Sequence, residues 1–476
     1  MKNATLRVRF APAPTGMMHL GNIRTALMNF LMARQKQGTF VLRIEDTDAE
    51  RNYDPSAVKI QEDLQWLSLV ADEGPQKDGG YGPYFQSQRN AIYQEKLQEL
   101  IKFGIAYRCF CSVEELEKKR ARQIALKQPP RYDRTCLKLM AEESAHKATT
   151  LPFVWRAQLD HTQTVSIQDL AHGKVTFEFK NFSDFPITRQ DGSVTFIFAN
   201  FVDDMLMKIS CVIRGEDHLS NTASQAALYK AFGIDLPIFW HMPILCNIDG
   251  KKLSKRDFGF SLRDLKESGF LPEAIVNYLA IIGGSFKQEI MSMDELAQNL
   301  NFDHISTTGQ IKYDVEKLRW VNHKWINKLA PEHLLELCKP YLEPVFPEIN
   351  IIATETVAAL LKKVSSEMIT LQDCVELLAF YFAQPVCSKA HTHALTTPEN
   401  AEALTNVIQK ACEQPDKTTF LAILKAGIAE AKISNKEAFM YVRYLLTGSE
   451  RGLGIADLIE ILDYEKIKTR LCDLIE

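Results

Sequence analysis

The 476-residue sequence predicts an α/β protein that ends in an all-α region, and three patterns along the chain support that prediction. The first is a strand, a loop, a helix and a second strand near the N-terminus. The second is a stretch of alternating apolar and polar residues with a turn signal, within residues 106–201. The third is the helical periodicity that dominates from about residue 260 onward.

The N-terminal pattern has the form of a strand–helix–strand unit. Residues 6–11, "LRVRFA", alternate apolar and basic, and "TFVLRIEDTD" from Thr39 is a second strand-forming run that ends in acids. Apolar residues between the two runs recur at the spacing of one helical face: Ile23, Ala26, Leu27, Phe30 and Leu31. Because parallel strands need such a crossover helix, we expect the two strands to be parallel.

The middle of the chain predicts antiparallel strands and then a return to helix and strand. Residues 174–201, "KVTFEFKNFSDFPITRQDGSVTFIFANF", alternate in polarity and hold the turn signal Gln190-Asp191-Gly192. Downstream, "NTASQAALYKAFG" predicts a helix that ends at Gly233, and "LPIFWHMPIL" predicts a buried strand. Amphipathic runs such as "PEHLLELCKPYL" and "ETVAALLKKV" predict helices in the rest of the chain.

The composition is that of an ordinary globular protein. The chain is 46% apolar and 24% charged with a net charge of -4, which argues against disorder and against a compact basic DNA-binding module. The N-terminus has no apolar core of signal-peptide length, and no apolar run is long enough to span a bilayer. We therefore expect a cytoplasmic protein with no membrane partner, whose ten cysteines are reduced unless their spacing indicates a metal.

Two stretches have the composition of phosphate sites. In "RFAPAPTGMMHLGNIRTAL", Pro12 and Pro14 end a strand, and Asn22 is a good N-cap for the helix that follows. His19 and Gly21 then lie at a helix N-terminus, where free N–H groups suit an anion. The alternative is a proline-rich turn with a buried histidine.

The second stretch is "DGKKLSKRD", residues 249–257. Its four cations and one serine cannot pack in a core, so it forms either a phosphate-binding loop or a solvated basic loop. Two such stretches in one α/β chain together favour a nucleotide site.

These stretches are similar to the two signatures of class I aminoacyl-tRNA synthetases. "PTGMMHLGN" resembles the first signature and "KLSKR" the second. Around them, "RFAPAPTG", "RIEDTD", "VDDMLMKISCVIRGEDHLSNT" and "KLRWVNHKWI" resemble the glutamyl-tRNA synthetases of bacterial type. The resemblance is dense from Arg7 to about Trp325 and thins beyond it.

The resemblance implies a domain order. A Rossmann-like nucleotide-binding domain of class I synthetases would occupy residues 1–105 and 191–245, split by an α+β acceptor-stem insertion at 106–190. A stem-contact region with the KLSKR loop would follow at 246–325, and an all-α anticodon-binding domain at 326–476. That helical region argues against glutaminyl enzymes, whose anticodon region is a β-barrel, and against glutamyl-queuosine relatives, which lack it.

The resemblance also implies a reaction. A monomeric enzyme would use ATP and Mg²⁺ to form glutamyl-adenylate from L-glutamate, and would then transfer the glutamyl group to tRNA(Glu). His19 and the backbone at Gly21 would stabilise the α-phosphate, and Lys252 and Lys255 would neutralise the departing pyrophosphate. The other residues of the implied ATP site are Asn22, Asp217, His218 and Ser254.

Glutamate would be held by residues of matching charge. Arg9 would pair with its side-chain carboxylate, Arg214 would assist, and Glu45 would receive its ammonium group. The other residues of the implied glutamate pocket are Ala11, Ala13, Phe196 and Asn200.

Two residues depart from the family pattern. Ala13 stands where the family usually has serine, and Phe196 where it has tyrosine, so two hydroxyl groups are missing from the expected pocket. Because of these departures, an alternative is that the chain is a catalytically weak or tRNA-binding paralogue of the family. An adenylyltransferase for a small molecule is a further alternative, although it needs neither the helical region nor the glutamate pocket.

The inserted segment holds a candidate zinc site. Some relatives bind zinc through Cys-x-Cys and a later Cys-x-His, but Lys138 replaces that histidine here. Another version uses tyrosine, and "YDRTC" fits it, so the ligand set is Cys109, Cys111, Tyr132 and Cys136. The alternative is three free thiols.

The helical region bears on the choice of tRNA. An arginine there lets some relatives reject tRNA(Gln), but the corresponding segment "LLKKVSSEMITLQD" has Lys362 and Lys363 and no arginine. The sequence therefore predicts that tRNA(Gln) is also charged.

Overall fold

A computed structural model of the chain describes residues 5–47, 53–254, 256–302 and 309–472. The chain forms two compact units. The first contains Met1–Asp264 and Val276–Val315, and the second contains Leu265–Ile275 and Glu316–Glu476. Lys255, a predicted catalytic residue, lies outside the described residues.

All the strands described belong to the first unit. They are β1 (Arg7–Phe10), β2 (Thr39–Leu42), β3 (Ala106–Cys109), β4 (Val154–Ala157), β5 (Thr164–Asp169), β6 (Gly173–Glu178), β7 (Phe185–Pro186), β8 (Cys211–Gly215), β9 (Ile238–Met242), β10 (Leu245–Cys246) and β11 (Ile311–Lys312).

Helices occupy most of the remaining chain. They are α1 (Leu20–Gln35), α2 (Val58–Trp66), α3 (Asn90–Lys102), α4 (Val113–Ala125), α5 (Ala141–Lys147), α6 (Phe196–Leu206), α7 (Leu219–Ala231), α8 (Leu262–Glu267), α9 (Pro272–Ile281), α10 (Met293–Asn299), α11 (Val315–Lys328), α12 (Pro331–Leu342), α13 (Thr354–Val364), α14 (Cys374–Phe382), α15 (Lys389–Leu395), α16 (Pro398–Cys412), α17 (Lys417–Glu430), α18 (Asn435–Thr447), α19 (Ile455–Ile461) and α20 (Tyr464–Cys472). Short 3₁₀ turns lie at Gln86–Arg89, Thr135–Lys138, Phe179–Asn181, Glu216–His218, Pro347–Ile351 and Leu371–Asp373.

The strand–helix–strand unit is confirmed. β1 and β2 pair in parallel with Arg9 opposite Val41, and α1 packs on β1 as the crossover helix. The buried-strand prediction is also confirmed, because β9 pairs in parallel with β8 and only its first residue, Ile238, is exposed. α7 ends two residues before Gly233, whose φ of +64° is the left-handed geometry that glycine adopts without strain.

The insertion contributes strands to two sheets. β3, β4 and β7 form a small antiparallel sheet, whereas the antiparallel hairpin β5–β6 joins the sheet of β8 and β9 in the order β6-β5-β9-β8. The contact between the hairpin and β9 is parallel and pairs Asp169 with Phe239. The end of β5 is thereby brought beside the buried middle of β9.

Two local predictions are wrong. The run that begins at Phe196 is predicted as antiparallel strand, but it is α6; the alternating phenylalanines mimic a strand while Phe198 and Phe201 are both fully buried on the helix. Only a short antiparallel bridge between Thr188 and Val194 surrounds the predicted turn. Asn22 is not the N-cap of α1, because His19 takes that position.

The second unit is helical, as predicted. α12 coincides with "PEHLLELCKPYL", and it packs against α13 and α14. Its buried residues include Leu334 and Cys338, and those of α13 include Leu361. α16, α17, α18 and α20 pack on one another further along the chain. Among the helices described, none is long and apolar enough to cross a membrane.

Candidate active site

The turn after β1 ends in a histidine that caps α1. His19 Nδ1 accepts hydrogen bonds from the backbone N–H groups of Gly21 and Asn22, at 3.1 and 3.3 Å, while the Asn22 Oδ1 accepts from the His19 N–H at 3.3 Å. Since backbone N–H groups can only donate, Nδ1 carries no proton and Nε2 does. The N–H groups of Gly21 and Asn22 are thus occupied by the His19 ring and that of Leu20 by the Phe260 carbonyl, so His19 Nε2–H is the donor left for a ligand.

Gly21 makes room for this cap. A Cβ built at Gly21 would lie 3.0 Å from Cε1 and 3.1 Å from Nδ1 of the His19 ring. Any side chain at position 21 would therefore push the ring away from the helix end. The missing side chain at Gly21 therefore has two effects: it lets the His19 ring lie against the helix end, and it leaves space for a ligand.

The KLSKR loop lies beside the same histidine. The loop is a hairpin in which the Leu253 N–H donates to the Leu245 carbonyl, with Gly250 at φ +77° in the turn. The chain then returns to α1, where the His19 ring stacks on Phe260 at 5.1 Å. Lys252 Nζ pairs with Asp217 at 3.2 Å.

Charge and burial keep His19 neutral. Burial lowers the pKa of His19, and the positive charge of Lys252 lowers it further, against a smaller opposing effect of Asp217. A neutral imidazole at pH 7 agrees with the capping geometry. The arrangement can offer a neutral N–H donor and a mobile cation to the same anionic group.

A pocket of about 570 Å³ connects this end of α1 with the carboxyl ends of β1 and β8. It is lined by every residue of the predicted glutamate set: Arg9, Ala11, Ala13, Glu45, Phe196, Asn200 and Arg214. It is also lined by most of the predicted ATP set: His19, Gly21, Asn22, Asp217, His218 and Lys252. Ser254 does not line it, since its N–H and Oγ bond to Asp257 within the loop.

Arg9 is held in place by an acid. Its Nε and Nη2 donate to Asp204 at 3.0 and 3.3 Å, and its Nη1 donates to the Ile213 carbonyl at 3.3 Å. Three of the five guanidinium N–H groups are engaged, which leaves two for a ligand. Burial raises the pKa of Asp204, but the charges of Arg9 and Arg43 outweigh it and lower the pKa overall. Asp204 is thus an ionised counter-charge that orients Arg9.

Arg214 has the opposite character. Its Nη2 donates to Thr222 Oγ1 at 2.7 Å and to Gln225 Oε1 at 2.8 Å, and its Nε faces His241 Nε2 at 3.3 Å. Its Nη1 is buried and has no hydrogen-bond partner in the described part of the chain. Burial lowers the pKa of Arg214 to about 10, so the group is charged at pH 7. Arg214 lines the pocket, so an anion bound there could satisfy this buried charge and its unpaired donor.

A chain of buried polar side chains joins the two walls of the pocket. Glu45 Oε1 accepts from Asn200 Nδ2 at 2.6 Å, Asn200 Oδ1 accepts from Gln225 Nε2 at 2.8 Å, and Gln225 in turn accepts from Arg214. Arg43 Nη2 donates to Glu45 at 3.1 Å.

Four members of this network were not predicted from the sequence. Thr222 and Gln225 lie one turn apart on the buried face of α7. Polar residues on the apolar face of a predicted helix could have indicated that they belong to a polar site. Arg43 and His241 lie in or beside buried strands and gave none.

The two family departures are on the pocket wall. Phe196 begins α6, with its ring 5.6 Å from the His218 ring, and Ala13 lies in the turn after β1. No side-chain hydroxyl is present at either position. The charged and amide groups predicted for the glutamate pocket, those of Arg9, Glu45 and Asn200, line it together with these two side chains.

The candidate zinc ligands come together at the end of β3. The thiols of Cys109, Cys111 and Cys136 lie within 4.8 Å of one another, and the Tyr132 hydroxyl lies 3.3 Å from Cys109 Sγ and 3.9 Å from Cys111 Sγ. Cys111 and Cys136 Sγ are 3.7 Å apart, which is the edge expected for two sulfurs at about 2.3 Å from a tetrahedral zinc ion. The donor set fits zinc in number and in chemistry.

Comparison with known proteins shows where this site belongs. A family model described as "tRNA synthetases class I (E and Q), catalytic domain" matches residues 5–320, and a model described as "Anticodon binding domain" matches residues 333–475. A glutamate–tRNA ligase of Bacillus licheniformis is 35% identical, with 99% of each chain covered. The chain belongs to the glutamate–tRNA ligase family of class I aminoacyl-tRNA synthetases.

Other members of the family extend the match. Glutamate–tRNA ligase 1 of Fervidobacterium nodosum is 37% identical over 98% of both chains. A glutamate tRNA ligase from Elizabethkingia meningosepticum, solved in complex with its amino acid, superposes with a TM-score of 0.86 at 30% identity and covers 99% of both chains. The resemblance drawn from the two signatures is thereby confirmed, as is the fold class: a Rossmann-like class I catalytic domain followed by a helical anticodon-binding region.

Proposed function

We propose that the enzyme joins L-glutamate to tRNA(Glu) with ATP, through glutamyl-adenylate, and that the pocket between His19 and Arg214 performs both steps. The observation that carries the proposal is the open Nη1 donor of Arg214, a buried charge with no acidic partner among the described residues. Such a group is costly unless an anion arrives, and the γ-carboxylate of glutamate is an anion that the proposed reaction supplies. A paralogue that only binds tRNA would not need Arg9, Glu45, Arg214 and His19 to line one pocket.

The glutamate end of the pocket works by charge matching. The two free N–H groups of Arg9 and the open donor of Arg214 would receive carboxylate oxygens, which an uncharged amide such as glutamine cannot replace. Glu45 would receive the α-ammonium group, and Asn200 keeps the Glu45 carboxylate in place. Burial raises the pKa of Glu45 in the empty pocket, and the arriving ammonium would favour its ionised form.

The nucleotide end works by positioning. As the glutamate carboxylate attacks the α-phosphate of ATP, charge grows on the phosphate oxygens, and His19 Nε2–H would donate to them. Lys252 would leave Asp217 to neutralise the pyrophosphate, joined by Lys255. Mg²⁺ would enter with the ATP phosphates, and Asp217 offers the oxygen chemistry that this ion prefers.

Aminoacylation with radiolabelled amino acids tests the function. Purified enzyme, ATP and Mg²⁺ should yield labelled tRNA(Glu) with glutamate, and about 10³-fold less with glutamine, whose amide lacks the charge that the pocket matches. Aspartate has the same charge and is one methylene shorter, so it should be rejected only about 10–200-fold. An enzyme that binds tRNA(Glu) but forms no glutamyl-tRNA would instead be the inactive paralogue. The same assay with tRNA(Gln) tests the broader specificity: labelled tRNA(Gln) supports it, and unlabelled tRNA(Gln) at high enzyme concentration refutes it.

Zinc is proposed as a structural ion of the insertion. Cys109, Cys111, Cys136 and the Tyr132 hydroxyl would hold it, and it would supply a cross-link between β3 and the 3₁₀ turn at Thr135–Lys138. Burial, together with the neighbouring Cys109, raises the pKa of Cys111 to about 12, so the bound ion would have to displace the thiol proton. Emission spectroscopy on enzyme purified without chelator should find about one zinc per chain, and its absence would leave three free thiols. The domain boundaries, the monomeric state and the cytoplasmic location predicted above complete the proposal.

Replacement of Gly21 by alanine should lower kcat without harming the fold. The added Cβ moves the His19 ring by a few tenths of an ångström, and such misplacement of a catalytic donor is expected to reduce kcat about tenfold. Alanine is a better helix former than glycine by about 0.5–1 kcal/mol, so Tm should hold or rise. A fall of kcat together with Tm would indicate general damage instead.

Replacement of Phe196 by tyrosine should restore a hydroxyl to the glutamate pocket. A hydrogen bond of this kind contributes about 1–3 kcal/mol, so KM for glutamate is expected to fall about tenfold while KM for ATP stays constant. Phe103→Tyr, which adds the same hydroxyl at an exposed position, is the matched control. An unchanged KM for glutamate would show that the hydroxyl does not take part in binding.

A further inference from the structure

A second buried group stands behind Arg214. His241, on β9, is completely buried, and its Nδ1 lies 2.5 Å from Oδ2 of Asp169, the last residue of β5. On the other side of the ring, Nε2 lies 3.3 Å from Arg214 Nε and 2.9 Å from Thr222 Oγ1. The three side chains form one line from the inserted hairpin to the pocket wall.

The carboxylate determines which ring nitrogen carries the proton. An ionised Asp169 can only accept, so Nδ1 must donate to it, and in the neutral ring Nε2 is then an acceptor. Burial lowers the pKa of His241, and the hydrogen bond to Asp169 offsets only part of that effect, which keeps the ring neutral at pH 7. Nε2 can therefore accept the Nε–H of Arg214.

The opposite tautomer would have the opposite effect. With its proton on Nε2, the ring would present a donor to the donor of Arg214, and no hydrogen bond could form. Arg214 Nε would then be a further unpaired donor in a buried site, at a cost. The guanidinium of Arg214, which lines the pocket, would then lose one of the contacts that set its orientation.

We propose that Asp169 and His241 are positioning residues for the glutamate pocket: Asp169 fixes the tautomer of His241, and His241 aligns Arg214 toward the substrate carboxylate. The pair does not touch the substrate. It rests on the proposed function, because Arg214 is the residue through which it acts. It also gives the hairpin β5–β6 a role in amino-acid binding, although that hairpin lies in the segment predicted to contact the acceptor stem.

Two amide substitutions of His241 separate the two halves of this role. In His241→Gln the amide can reach the Nε2 position and accept from Arg214, so KM for glutamate should stay within about threefold of wild type. In His241→Asn the shorter amide can reach only the Nδ1 position, so it keeps the bond to Asp169 but loses the acceptor for Arg214. KM for glutamate should then rise about tenfold, as expected for loss of a hydrogen bond to a charged group, with KM for ATP unchanged.

Ile167→Ala is the control for structural damage. Ile167 is buried on the same strand as Asp169, and its side chain has no polar atom that could bond to Arg214. Its truncation should therefore lower Tm without changing KM for glutamate. The proposal is overturned if His241→Asn leaves KM for glutamate unchanged, or if Ile167→Ala raises it equally at a similar Tm. A wild-type enzyme that forms no glutamyl-tRNA would overturn the proposed function, and the pair with it.

Discussion

Replacement of Arg214 by glutamine is expected to lower kcat/KM for glutamate by about 10²–10³-fold and to leave the stability of the protein intact. The loss in activity follows from the removal of a charge-assisted contact between the substrate carboxylate and Arg214 Nη1, together with the positive charge itself, worth about 3–4 kcal/mol. The stability is retained because Arg214 has no acidic partner in the described chain, so its removal leaves no charge unpaired. Aminoacylation kinetics and the Tm of the same preparation measure both effects.

Two comparisons sharpen this experiment. Arg214→Lys keeps the charge but not the planar fork, so most of the loss in kcat/KM should remain. Lys230→Gln removes an exposed cation from α7 and should change neither quantity. If Arg214→Gln lowered Tm by several degrees and left kcat/KM for glutamate unchanged, the arginine would be a structural residue and the pocket would have another purpose.

Replacement of Asp203 by alanine is expected to destabilise the protein by about 3–5 kcal/mol. Asp203 is completely buried on α6 and accepts from Arg89 Nε at 2.6 Å, from Gln86 Nε2 at 2.8 Å and from Tyr93 Oη at 2.8 Å. Its removal leaves the buried guanidinium of Arg89 without its carboxylate. A lower Tm, by about 5–15 °C, is the expected result.

A second buried cation near Asp203 adds to the expected loss of stability. Arg43 Nε also lies 3.7 Å from Asp203, so two buried cations share one acid. Asp203→Asn keeps the shape and some of the acceptors, and it should cost less than alanine. The exposed Asp235→Ala should change stability by less than about 0.5 kcal/mol. Equal Tm values for Asp203→Ala and Asp235→Ala would contradict the proposed network.

Much of the site could be predicted from local sequence. The proline turn after β1, the histidine at the helix start and the basic hairpin near Lys252 each follow from residues within a few positions of one another. Turn chemistry, helix capping and the exclusion of charge from cores act at that range, so they leave a readable pattern. The cysteine and tyrosine ligands were expected because the inserted segment resembles relatives that bind zinc, and the structure brings their four side chains together.

Capping and helix assignment show the limit of local patterns. Asn22 is a suitable N-cap by type and would start the helix three residues later. The His19 ring instead accepts from the N–H groups of Gly21 and Asn22, for which the missing side chain of Gly21 leaves room, so the helix begins at Leu20. Phe196 and the residues after it alternate as a strand would, but packing around Phe198 and Phe201 favours the helix. In both cases two local solutions were available, and the surrounding contacts chose between them.

The sequence by itself determined the class of this protein: an α/β nucleotide-binding core with two phosphate-type stretches, a cysteine cluster and a helical C-terminal region. Only the tertiary structure decided how the charges are used. It pairs Arg9 with Asp204, 195 positions away, leaves Arg214 with an open donor, and places Asp169 of a distant hairpin behind His241. The physical reason is that a buried charge is satisfied by whichever partner the fold brings within about 3 Å, and separation along the chain carries no information about that distance.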